Sequence, residues 1–69
     1  MMDVSLNVPE VHCDHCKQSI EGAVRAIVGV GTVEVAIGDR KVDVSYDGQE
    51  STFAEIVQAI QGQGYNVTA

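Results

Sequence analysis

Cys13 and Cys16 stand three positions apart, each directly preceded by a histidine, and the 69-residue chain has no other cysteine or histidine. Two sulfurs and two imidazoles between His12 and Cys16 can do three kinds of chemistry. They can hold a soft metal ion, cycle between dithiol and disulfide, or fix a structural zinc. As a zinc staple, four ligands from five successive residues would have to bend around one tetrahedral ion, whereas structural sites draw ligand pairs from separated segments. As a crosslink, the pair closes too small a loop to remove much entropy from the unfolded chain. Adjacent thiols without further bridges suit a reducing compartment. A thioredoxin-like redox fold also sets C-x-x-C at a helix start, but this chain is short for one. Its only proline, Pro9, precedes the motif, leaving none to face it in the cis form. Lys17 excludes covalent haem, which requires histidine directly after the second cysteine.

The elements that must position this motif are legible from periodicity. Val4, Leu6 and Val8 alternate with polar residues, as do Val33, Val35 and Ile37, and then Val42, Val44 and Tyr46, so each run predicts a half-buried strand. Gly38-Asp39-Arg40 suits the tight reversal that would join the second and third strands as a hairpin. From Cys16, the positions of Ile20, Ala23, Val24 and Ile27 fit one face of a helix, with Lys17, Gln18, Glu21 and Arg25 opposite. Asp14 is expected to cap it and Gly29 to end it. Thr52 and Glu55 have capping-box spacing ahead of Phe53, Ile56, Val57 and Ile60, and Gly62 and Gly64 should stop this second helix. Tyr65 to Val67 is expected as a last short strand. The order βαββαβ predicts an α+β, ferredoxin-like fold, with a four-stranded antiparallel sheet and two helices on one face. At this length the reading is one domain over residues 1–69.

On that scaffold Cys13 lies in the loop after the first strand and Cys16 in the first turn of the first helix. The helix dipole, its unpaired amides and Lys17 favour a Cys16 thiolate, and Asp14 opposes it. Two thiolates so placed suit Cu(I), which accepts low coordination by soft sulfur, and leave room for an incoming donor. His15 is a possible auxiliary ligand. His12, if the loop is extended, points away from Cys13.

Ten acidic residues against four basic ones give a formal net charge of −6, which disfavours nucleic acid and anionic membrane surfaces; it either simply maintains solubility or orients docking on a partner with a basic face. The N-terminal residues lack the basic head and apolar run of a secretion signal, so the expected location is cytoplasmic, without membrane insertion. No Ser–His–Asp set, convergent carboxylate pair or phosphate-cradling glycine loop is present, and the chain is not read as an enzyme.

"VHCDHCK" after a strand and before a helix, with "GQGYNV" near the end, resembles the heavy-metal-associated domain family, in particular its free-standing bacterial copper chaperones. The likeness covers essentially the whole chain. It implies Cu(I) held by Cys13 and Cys16 and passed by thiol exchange to a copper-transporting P-type ATPase, through its N-terminal metal-binding domains, or to a copper-responsive repressor. It also implies that Tyr65 lies close to the metal loop, and that Val11 replaces the family's usual methionine as an apolar prop. Zinc-exporting relatives place aspartate where this chain has His12, which weakens a zinc or cadmium reading; Hg(II) would also fit the motif. His12 and Lys17 are expected beside the donors. The metal-free chain is expected to be a monomer, with a copper-bridged dimer as a possible loaded form in which His15 could reach a second ion.

Overall fold

A computed structural model describes residues 2–68 of the chain. Its element order is β1 (Met2–Asn7), α1 (Asp14–Arg25), β2 (Val30–Ala36), β3 (Lys41–Tyr46) and α2 (Glu50–Gly62). The three strands form an antiparallel sheet in the order β1-β3-β2. Register follows the alternation: Val44 pairs with Val4 on one side and Val33 on the other, and Val42 with Leu6 and Val35. These residues turn one way and, with Ile20 and Val24 of α1 and Ile56 and Ile60 of α2, make a single core cluster. The other side of the sheet carries Asp3, Ser5, Glu34 and Asp43, all exposed. Both helices therefore cover one face, as the one-sided burial of the strands requires.

The expected hairpin is present. Ala36 pairs with Lys41 across a turn closed by the Arg40 N–H donating to the Ile37 carbonyl at 3.1 Å. The register shifts between Val30 and Thr32, so Gly31 is the extra residue of a bulge at the start of β2.

The four-stranded sheet is corrected to three strands among the described residues. Thr68 makes only an isolated antiparallel bridge with Asn7, exchanging N–H···O bonds of 2.9 and 2.8 Å. The physical reason lies in Asn66, whose N–H donates to the Glu10 carboxylate at 2.6 Å instead of joining a ladder.

Helix starts also differ from the spacing rules. Cys13, not Asp14, is the N-cap of α1, and Asp14 is the acidic residue of the first turn. Helix α1 ends at Arg25, four residues ahead of Gly29. Helix α2 begins at Glu50, so Thr52 lies inside it, almost fully buried. Asp47 does the anchoring there: its carboxylate accepts from the Gln49 N–H at 3.0 Å and from the Thr52 hydroxyl at 3.2 Å. Helix α2 ends in a Schellman arrangement, with Gly64 N–H donating to the Gln61 carbonyl (2.9 Å), Tyr65 N–H to that of Ile60 (3.4 Å), and Gly64 at φ +94°.

Candidate metal centre

The loop between β1 and α1 is tied into the core before it reaches the sulfurs. Val8 is fully buried and its N–H donates to the Arg40 carbonyl at 2.9 Å; Val11, also fully buried, donates back to the Val8 carbonyl at 3.1 Å. Val11 is thus part of the core cluster. Cys13 then adopts an extended backbone (φ −150°, ψ 166°) as N-cap, and its carbonyl accepts the first helical bond from the Lys17 N–H at 3.1 Å. No side chain caps this helix start, so its orphan amides remain available to negative charge.

Both cysteines are free thiols with their sulfurs 3.2 Å apart. Cys16 faces the core and Cys13 is partly exposed. Hydrogen bonding from the Tyr65 hydroxyl, and then from Cys13, brings the Cys16 thiol down from 9.0 to about 7; partial burial opposes the fall, and the backbone and charge of His12 add to it. The direction matches the sequence expectation, but the groups responsible are Tyr65 and Cys13 rather than Lys17. Tyr65 itself is pushed up, chiefly by the same bond to Cys16. The Schellman turn that ends α2 leads directly into Tyr65, and the Glu10–Asn66 bond ties the following residue to the loop that carries the cysteines.

The histidines fall the other way round from the extended-loop expectation. One donor atom each from His12, Cys13 and Cys16 lie within 4.8 Å of one another, and His15 is not part of this group. His12 is folded back because its Nδ1 bonds the Glu10 carbonyl at 2.8 Å. Glu10 was not singled out by residue type or spacing; only its place beside the motif could have pointed to it. Chemically, the arrangement offers two sulfurs and one imidazole at the mouth of a helix, a donor set for a soft or borderline ion.

A profile of the heavy-metal-associated domain matches residues 5–66. The chain belongs to the heavy-metal-associated domain family. The copper chaperone CopZ of Bacillus subtilis (strain 168) is 37% identical to it over 67 residues, 97% of this chain and 97% of that relative. Among solved structures, the chain resembles a CopZ metallochaperone with a TM-score of 0.87 at 33% identity, covering 97% of this chain and 100% of the other. It also resembles a copper binding domain from HMA7, a P-type ATPase, with a TM-score of 0.85 at 25% identity, covering 99% and 92%. A heavy-metal-associated domain with a close cysteine pair, related to copper chaperones at this level, supports a metal chaperone.

Proposed function

We propose that this heavy-metal-associated domain is a cytoplasmic, non-enzymatic copper chaperone that binds one Cu(I) through Cys13 and Cys16. The observation that carries the reading is the sulfur pair itself: two free thiols 3.2 Å apart, one buried and poised to ionise near neutral pH, the other partly exposed. Soft thiolates favour Cu(I), and two of them leave coordination room for a third donor. An acceptor thiolate approaches from the Cys13 side, bonds to the ion, and displaces Cys13; Cys16, the buried sulfur, lets go last. Because a new metal–sulfur bond forms before an old one breaks, tight holding and rapid transfer are compatible.

The acceptor class is a copper-transporting P-type ATPase, whose own heavy-metal-associated domains have the fold this chain resembles, with a copper-responsive repressor as the alternative. The net charge of −6 directs docking to a basic face. No helix among the described residues is long and apolar enough to cross a membrane. The test is competition for one equivalent of Cu(I) against a strong chelator under reducing conditions. The parent chain should retain copper, and Cys13→Ser or Cys16→Ser should each abolish retention. Retention by either single-serine variant contradicts the two-thiol site.

A further inference from the structure

The geometry points to His12 as a third donor to the ion that Cys13 and Cys16 hold, making a site of two sulfurs and one nitrogen that also takes a divalent borderline ion such as Zn(II). This rests on the reading that the cysteine pair is the metal site, and adds to it a donor from outside the C-x-x-C motif. With metal–sulfur bonds of about 2.3 Å and metal–nitrogen bonds of about 2.0 Å, a trigonal ion places its sulfurs about 4.0 Å apart and each sulfur about 3.7 Å from the nitrogen. A linear two-sulfur ion would need the sulfurs about 4.6 Å apart. The sulfurs stand at 3.2 Å, well short of the linear separation, and a ring nitrogen of His12 lies within 4.8 Å of both.

The hydrogen bonding of His12 is the second observation. A carbonyl oxygen can only accept, so Nδ1 is the donor in its bond to Glu10, and in the neutral imidazole the lone pair then lies on Nε2. Metal-binding histidines are commonly oriented in this way, one ring nitrogen donating to a carbonyl while the other faces the ion. The support is itself fixed, since the Glu10 carboxylate accepts from Asn66 N–H at 2.6 Å. One residue therefore orients the imidazole through its carbonyl and tethers the Tyr65 segment through its side chain. An exposed histidine tied down at this point is arranged as a donor, whereas His15 is exposed and outside the group. Three protein donors with one open position also meet the requirement of an exchangeable zinc site better than two sulfurs do.

The experiment uses the reduced full chain and its His12→Ala and His15→Ala variants, titrated with Zn(II) against a chromophoric chelator and examined by zinc-edge X-ray absorption. Cu(I) competition is run in parallel. His12→Ala should weaken Zn(II) binding at least about tenfold and remove imidazole scattering from the spectrum. Unchanged zinc affinity in His12→Ala, or imidazole scattering that survives there and disappears in His15→Ala, would overturn the third donor. If Cu(I) is still captured by Cys13 and Cys16 in that case, the chaperone reading stands without it. A parent chain that captures no Cu(I) overturns both.

Discussion

At the residue scale, Tyr65 and Cys13 act together on Cys16. Its thiol is brought from 9.0 to about 7 first by the Tyr65 hydroxyl. Between those values the folded protein has released a proton that the unfolded chain still holds. Stability of the reduced, metal-free protein therefore rises with pH from about 7 to 9.0, and this contribution is lost as pH falls through about 7. Tyr65→Phe should move the Cys16 titration, followed by thiolate ultraviolet absorbance, back toward 9.0 and flatten the rise of the urea midpoint over that range. An unchanged titration in the variant would remove Tyr65 from the site. The cysteines were legible from type and spacing alone, because C-x-x-C at a strand–helix junction has few uses. His12 was expected beside the donors, but neither the direction of its ring nor the part played by Glu10 was legible. The position of the imidazole depends on a carbonyl two residues back, and that of the Glu10 carboxylate on an amide 56 residues away, neither of which leaves a trace in local spacing.

At the scale of elements, alternation identified β1, β2 and β3 and the apolar stripe identified both helices, since burial of one face imposes periods of 2 and about 3.6 directly on the sequence. Helix starts were less legible. Thr52 has the residue type and spacing of a cap, but Asp47 supplies the acceptor from outside the helix and draws Thr52 into the interior. Glu21, assigned by pattern to the wet face of α1, instead accepts the Val35 N–H at 3.1 Å and so satisfies an amide of edge strand β2. At the end of α2, Gly64 at φ +94° allows the turn that leads into Tyr65, whose hydroxyl is the first cause of the lowered Cys16 thiol. A Cβ at Gly64 meets nothing within 4 Å, so its cost is conformational. Gly64→Ala should destabilise the protein by about 1 kcal/mol in urea unfolding and raise the Cys16 thiol along with it. Loss of stability without any change at Cys16 would separate the turn from the site.

At the scale of the whole molecule, the fourth strand is reduced to one bridge because the segment after α2 serves the metal loop before it serves the sheet. Asn66 bonds Glu10, which leaves Thr68 to meet Asn7. Pattern alone could read Tyr65 to Val67 as extended but not which partner would claim its amides. The exposed face of the sheet adds to the molecule's acidity: Glu34 and Asp43 pair directly across strands beside Ser5, whose hydroxyl donates to Asp43. Facing carboxylates are unfavourable for the isolated fold, and with a net charge of −6 they would help steer the chain toward the basic partner face proposed above. Metal transfer should accordingly slow as salt is raised, in the encounter step and not in the exchange itself.

The central claim is that Cys13 and Cys16 hold Cu(I) firmly while leaving it open to a competing thiolate. Mixing the copper-loaded chain with the metal-free N-terminal heavy-metal-associated domain of a copper-transporting P-type ATPase, then separating the two and measuring copper on each, tests it directly. The account predicts copper shared between both proteins, reached from either starting direction, with the donor's two thiols regained in proportion to the copper lost. Copper that stays wholly on the donor, or that moves only after passing free through a chelator in solution, would contradict it.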